Sequence, residues 1–105
     1  MKKEKRIWIG LLGVRSLPES EILRDSTGAY VNVVTWASDR AEYQKKAQEL
    51  MDYLHLKLVD IENPQPLKDR ERIEDPELAD VVARAKENPN AIMYGAFHTW
   101  SEKNT

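Results

Sequence analysis

The chain has 105 residues, of which 41% are hydrophobic and 32% are charged, and it contains no cysteine. These values are typical of one soluble globular domain rather than a disordered segment. The absence of cysteine excludes disulfides, thiolate metal ligands and cysteine nucleophiles. We therefore predict a single domain that spans residues 1–105.

The net charge is −2, but the charges are unevenly distributed along the chain. Residues 60–80 contain eight acidic and three basic side chains, whereas residues 2–6 contain four basic side chains and one acidic one. The acidic segment argues against nucleic acid as the main ligand, because phosphate binding needs clustered Lys and Arg. It permits a basic protein partner, and a solvated loop followed by a helix start would give the same pattern.

The N-terminus has the pattern of a first strand rather than of a signal peptide. Its apolar run over residues 7–14 is short, and it is followed by Arg15 and Pro18 instead of a small-residue cleavage site. No run approaches the roughly 20 apolar residues that a membrane helix needs. We expect a cytoplasmic protein without a membrane partner.

Two apolar segments in the first third of the chain predict strands, over residues 6–14 and 29–37. Both faces of the first strand are apolar, which indicates a central or well-covered position in the sheet. The second strand alternates between small branched side chains, suited to packing under helices, and a more amphipathic set. That second set is Tyr30, Asn32, Val34 and Trp36. The connection over residues 15–28 is too long for a two-residue hairpin turn.

The sequence predicts a helix over residues 39–54, with either Ser38 or Asp39 as its N-cap. If Asp39 is the N-cap, Glu42 lies three residues later and can complete a capping box. One helical stripe contains Tyr43, Ala47, Leu50, Met51 and Leu54. A third strand is expected over residues 56–61. We expect it to end before Pro64 and Pro66, because proline cannot donate a hydrogen bond to a strand ladder.

A short helix over residues 67–73 is compatible with Pro66 at its first position. A clearer second helix begins with Asp75 as its cap and Pro76 next, and it ends before residues 88–90. Its buried stripe is predicted to be Leu78, Val81, Val82 and Ala85. Residues 91–100 predict the last strand.

The element order is therefore β-β-α-β-α-β. This order predicts an α+β fold, a two-layer sandwich in which a mixed sheet of about four strands carries the two main helices on one face.

No sequence motif identifies a reaction. The two histidines, His55 and His98, are far apart and lack metal-ligand spacing, so we expect no metal, no cofactor and no enzyme activity. His55 follows the first helix, where a capping or surface role is expected. His98 in the last strand would need a nucleophile or an orienting carboxylate to act as a base, and no spacing identifies one.

Several aromatic side chains are candidates for a face of the sheet that no helix covers. Packing in the core or at a sheet edge would explain the same pattern, because the sequence does not give the strand registers. This set is Trp8, Tyr30, Trp36, Tyr94 and Trp100, accompanied by Asn32 and His98.

Three segments together resemble small bacterial immunity proteins, which neutralise toxin domains of contact-dependent growth inhibition and other polymorphic toxin systems. The segments are residues 28–34, residues 56–62 followed by Pro66 and Leu67, and residues 95–100. The resemblance implies a cytoplasmic, non-catalytic protein whose partner is a cognate toxin domain, often a nuclease. It assigns no role to an individual residue.

The leading hypothesis is accordingly a protein-binding inhibitor that uses acidic and aromatic side chains. The candidate partner-binding residues are Asp69, Glu71, Glu74, Asp75, Glu77, Tyr30, His98 and Trp100. The alternative is a small-molecule-binding or regulatory α+β domain with a cleft near His98 and Tyr30, and the third reading is an enzyme that uses His98.

Overall fold

A computed structural model describes residues 4–17, 27–68 and 73–100. In chain order the elements are β1 (Arg6–Ser16), β2 (Gly28–Ala37), α1 (Arg40–Leu54), β3 (Leu56–Pro66), α2 (Pro76–Glu87), β4 (Met93–Tyr94) and β5 (His98–Trp100). They confirm the α+β class, with an open sheet of four to five strands and two helices. Neither described helix combines the length and the apolar composition that crossing a membrane requires.

The sheet has the spatial order β3–β1–β2–β4, and β5 pairs with β2 on the same side as β4. The first strand is central, as its two apolar faces predicted. Every described pairing is antiparallel. Because β1 is antiparallel to both of its neighbours, β2 and β3 run parallel to each other on either side of it, connected through α1.

Helix α1 begins where the capping-box alternative placed it. Asp39 is the N-cap and accepts a hydrogen bond from the Glu42 backbone N–H at 2.9 Å. The Glu42 side chain in turn accepts one from the Ser38 N–H at 2.7 Å. The helix ends at His55, whose left-handed backbone, with φ of 58°, forms the C-cap. These reciprocal bonds satisfy backbone donors that a helix start leaves unpaired.

The buried stripe of α1 covers one face of the sheet. All five residues predicted for this stripe are buried, among them Tyr43 and Met51. They pack in one cluster with Leu12 and Val14 of β1 and with the small branched side chains of β2. The sheet and α1 thus form two packed layers.

Helix α2 lies on the opposite face, although the sequence pattern predicted both helices on one face. Its buried residues Val81, Val82 and Ala85 cluster with Ile7 and Val34. Val34 directly follows Val33, which belongs to the α1 cluster, so the two side chains point to opposite sides of β2. The physical reason is that β1 and β2 present apolar side chains on both faces, and each helix packs against those of one face.

The third strand is longer than predicted and continues through Pro64 to Pro66. It tolerates both prolines because it is an edge strand, where a missing donor can face away from the sheet. Its pairing with β1 slips twice, once next to Asn63, whose φ is 47°. Such slips are β-bulges, which bend an edge strand and discourage further pairing.

The last strand is interrupted, contrary to the prediction of one strand over residues 91–100. Met93–Tyr94 and His98–Trp100 both pair with β2. Between these two paired segments the last part of the chain has one residue more than β2, so the register shifts by one. The Gly95 N–H still donates to the Asn32 carbonyl oxygen at 3.0 Å. For the short helix expected over residues 67–73, the described residues Leu67, Lys68 and Ile73 are not helical, and residues 69–72 lie outside the described part of the chain.

Candidate binding surface on the sheet

Helix α2 covers only part of its face of the sheet. It packs near the end that carries Ile7, Val34 and Trp36, and the Trp36 indole N–H donates to the Ala85 carbonyl oxygen at 2.8 Å. The rest of this face is more exposed, and we call it the open face. The open face consists of Gly13 and Arg15 of β1, Gly28 and Tyr30 of β2, Lys57 and Asp60 of β3, and His98 and Trp100 of β5.

The strand registers arrange these residues in two rows across the sheet. In one row, Gly13 is paired with Asp60 on one side and with Tyr30 on the other, and Tyr30 is paired with His98. Directly paired residues point to the same face of a sheet. The row therefore places a carboxylate, a glycine, a phenol and an imidazole side by side on the open face.

The second row is formed by Lys57, Arg15, Gly28 and Trp100. A Cβ at Gly28 would lie 2.6 Å from Cζ2 of Trp100, so only glycine lets the indole lie against the sheet here. The Arg15 guanidinium carbon lies 5.5 Å from the centroid of the indole ring. This distance is within the range of a cation–π contact, which holds Trp100 in one orientation.

A shallow cavity of about 220 Å³ lies between these two rows. Its walls include Arg15, Tyr30, Asp60 and Trp100, and Gly13 forms part of its floor. A Cβ at Gly13 would lie 3.4 Å from Cε1 of Tyr30, which is ordinary contact distance. The missing side chain at Gly13 thus leaves space that Tyr30 only partly fills.

Glu77 of α2 connects the helix to the edge of the open face. Its Oε2 atom lies 3.3 Å from Nε2 of His98, and its Oε1 atom accepts a hydrogen bond from the Ala96 N–H at 3.0 Å. A Cβ at Gly95 would lie 2.6 Å from the same Oε1 atom. The Glu77 carboxylate therefore stabilises the segment that connects β4 to β5. This structural role was not predicted from the sequence.

The structure brings together part of the predicted partner-binding set. Tyr30, His98 and Trp100 share the open face, and Glu77 lies at its border. Asp75 is instead the N-cap of α2 and accepts from the Glu77 N–H at 3.0 Å. Glu74 does not join the open face either, because it is exposed and lines a second cavity, of about 360 Å³, with Asp75. Asp69 and Glu71 lie outside the described residues.

The other aromatic candidates for a helix-free face lie elsewhere. Trp8 is on the α1 side, with its ring centroid 6.2 Å from that of Tyr43. Tyr94 contacts Phe97 at 5.8 Å between ring centroids, and Trp36 lies under α2. Neighbouring residues of a strand point to opposite faces, so the registers divide this set between two faces.

The titratable side chain with the clearest perturbation belongs to the core. Burial raises the pKa of the Tyr43 hydroxyl well above its ordinary value, because the phenolate would lose its hydration. This hydroxyl donates to the Val33 carbonyl oxygen at 2.8 Å, which is a structural role. Within residues 4–17, 27–68 and 73–100, no three His, Asp or Glu side chains cluster as metal ligands would.

Sequence reasoning missed Gly13, Arg15 and Asp60 as members of the site. The alternation of side chains along β1 does place Gly13 and Arg15 on the same face, so this part of the site could have been predicted from the sequence. Their pairing with Asp60 and Tyr30 depends on registers between distant segments, and the pattern of one strand cannot supply it.

The fold and this surface define an α+β protein with a half-covered antiparallel sheet. Comparison of the chain with family models, with curated proteins and with solved structures finds no match.

Proposed function

We propose that this protein is a non-catalytic, protein-binding inhibitor that acts in the cytoplasm as an immunity protein and neutralises a cognate toxin domain through the open face. The observation that carries the proposal is the exposed aromatic and charged surface that α2 leaves uncovered. Tyr30 is 42% exposed at its centre, beside Trp100 and the charged Arg15.

The composition of this surface matches that of interface hot spots. Tyr, Trp and Arg contribute most of the binding energy in protein complexes, and they concentrate near the centre of an interface. Trp100 is already held between Gly28 and Arg15. A side chain ordered before binding loses less conformational entropy when a partner arrives, which favours affinity.

Acidic side chains near this surface support a basic partner. Asp60 lies on the open face, and Glu74 and Asp75 are exposed at the start of α2. Their field would accelerate encounter with a positively charged surface, such as the substrate site of a nuclease toxin. The acidic block expected over residues 60–80 thus retains a steering role, while the aromatic side chains supply the contact.

The test uses the product of the neighbouring gene, which the proposal expects to contain a toxin domain. We expect the protein to rescue growth of cells that express the domain and to bind the purified domain. Tyr30→Ala should weaken binding by more than about tenfold, the effect of losing a hot-spot residue.

Tyr53→Ala is the matched control, because Tyr53 is 80% exposed on α1, which covers the other face of the sheet. It should bind as tightly as the wild type. Equal effects of the two substitutions would reject the open face as the interface, and a wild-type protein that neither binds nor protects would reject the immunity function.

A further inference from the structure

The two rows of the open face complement each other strand by strand. The Tyr30 row contains Asp60, Gly13, Tyr30 and His98, and the Trp100 row contains Lys57, Arg15, Gly28 and Trp100. Both rows run in the strand order β3, β1, β2 and β5. On β3 one row has an anion and the other a cation. On β1 and on β2 one row has a glycine and the other a large side chain.

Exposed apolar surface lies between and beside these charges. Val59 is the extra residue of a β-bulge, because Leu58 and Asp60 on either side of it are paired with β1 and Val59 is not. It is 56% exposed, and it lines the cavity between the two rows together with Tyr30. Apolar patches with a polar rim mark interaction surfaces.

We propose that a second copy of this chain docks on the open face, face to face, about a two-fold axis. The axis lies in the plane of the interface, runs across the strands and passes between the two rows. It places the Tyr30 row of each copy against the Trp100 row of the other. Across the interface Asp60 faces Lys57, Gly13 faces Arg15, Tyr30 faces Gly28, and His98 faces Trp100.

A two-fold dimer needs a surface that is complementary to itself, because the same patch serves both partners. Each Asp60 carboxylate meets a Lys57 ammonium group of the other copy, so every dimer gains two ion pairs. The Trp100 ring lies over Gly28. Tyr30 therefore meets an indole ring of the other copy, and aromatic pairs of this kind are favourable.

Neither Arg15 nor helix α2 stands in the way of this arrangement. Arg15 keeps its contact with Trp100, 5.5 Å from the ring centroid, and contributes volume opposite the glycine of the other copy rather than a free charge. Helix α2 packs against Ile7 and Val34, towards the other end of the same face, so it does not lie between the two rows.

The area of the open face indicates a weak dimer. Strands lie about 4.8 Å apart and same-face neighbours about 7 Å apart, so four strands and two rows cover less than the roughly 800 Å² per partner of a standard interface. We expect association at high protein concentration. Self-association does not rest on the proposed function, because the pure protein would dimerise without a toxin; a toxin domain on the open face would displace the second copy.

The first measurement is a dilution series of the pure ¹⁵N-labelled protein from about 1 mM to about 0.02 mM, followed by amide chemical shifts and by sedimentation velocity. We expect concentration-dependent shifts at Gly13, Tyr30 and Val59 but not at Tyr53 on α1, and a sedimentation coefficient that rises with concentration. A protein that is monomeric at the highest concentration, or shifts confined to other surfaces, would overturn the proposal.

The second measurement reverses the charges of the two exposed residues of the ion pair, Lys57 and Asp60. Lys57→Glu alone and Asp60→Lys alone should each associate at least about fivefold more weakly than the wild type, because both ion pairs of the dimer become like-charge pairs. An equimolar mixture of the two variants should recover association close to that of the wild type, since every pair in the mixed dimer joins opposite charges.

The control is Lys45→Glu, which makes the same charge change at an exposed position of α1, on the other side of the sheet. It should associate as the wild type does. Single variants of the ion pair that associate like the wild type, or a mixture that associates no better than either variant alone, would show that the two rows do not meet, and the proposal would be wrong.

Discussion

Gly10 of β1 lies against Tyr43, and adding one methyl group there should disturb the core. A Cβ at Gly10 would lie 2.5 Å from Oη of Tyr43 and 3.0 Å from Cε1 and Cζ. Tyr43 is fully buried, and its hydroxyl donates to the Val33 carbonyl oxygen. The ring therefore can move only by displacing the core side chains packed around it.

The cost of Gly10→Ala follows from three effects. Overpacking a filled core costs about 1–3 kcal/mol. Displacing the Tyr43 hydroxyl from Val33 costs about 1 kcal/mol for the weakened hydrogen bond. Replacing a strand glycine by alanine returns about 0.5–1 kcal/mol. We expect the free energy of unfolding to fall by about 1–3.5 kcal/mol in total.

A double-mutant cycle identifies Tyr43 as the cause. Tyr43→Phe alone should cost about 0.5–1.5 kcal/mol, because one buried hydrogen bond is lost. It also removes the atom that lies closest to the new methyl group. Gly10→Ala should therefore cost less in the Tyr43→Phe background, with a coupling energy of about 0.5 kcal/mol or more.

The assay is urea denaturation, with the transition midpoint and its slope compared among the variants. Gly13→Ala is the matched control on the same strand, because its Cβ would meet the exposed Tyr30 ring at 3.4 Å and the Cβ of the exposed Asp60 at 3.8 Å, without a clash. We expect that change to stay within about 0.5 kcal/mol. An additive cycle, or a Gly10→Ala variant as stable as the wild type, would refute the reasoning.

Two further predictions concern pH and the attachment of α2. Burial raises the pKa of Tyr43, so its hydroxyl loses the proton at a lower pH in the unfolded chain than in the folded protein. The contribution of this group to the free energy of unfolding is therefore fully present below about pH 10 and falls as the pH rises above that value. Urea midpoints measured from about pH 8 to pH 11 should decline less steeply in Tyr43→Phe, and parallel declines would contradict this. Glu77→Ala should lower stability by about 1–2 kcal/mol and accelerate amide hydrogen exchange in β5, because Ala96 and His98 lose their partner. Asp80→Ala, which breaks only an exposed ion pair, should change stability by less than about 0.5 kcal/mol, and equal losses in the two variants would count against the role of Glu77.

The helices were largely predictable from the sequence because their signals are local. Asp39 with Glu42, and Asp75 with Pro76, mark helix starts within four residues of chain. The stripe that contains Tyr43 recurs at helical spacing, and all of it is buried. The apolar alternation of the first strand likewise predicted a central position.

The side of the sheet that α2 covers was decided by tertiary structure. Val33 and Val34 are both buried, but the sequence alone does not say which helix covers which of them. The edge position of β3 could not be predicted from the sequence either. It explains why the strand includes Pro64 and Pro66.

The candidate site depends on tertiary structure most strongly. Tyr30, His98 and Trp100 were named from the sequence, but Gly13, Arg15 and Asp60 were not. The cavity exists only because the registers of four strands align a glycine between Asp60 and Tyr30. A one-residue slip would turn each of these side chains to the other face of the sheet. Local patterns determined the elements of this protein, and long-range pairing decided which side chains meet, because a register is set by packing between segments that are distant in the chain.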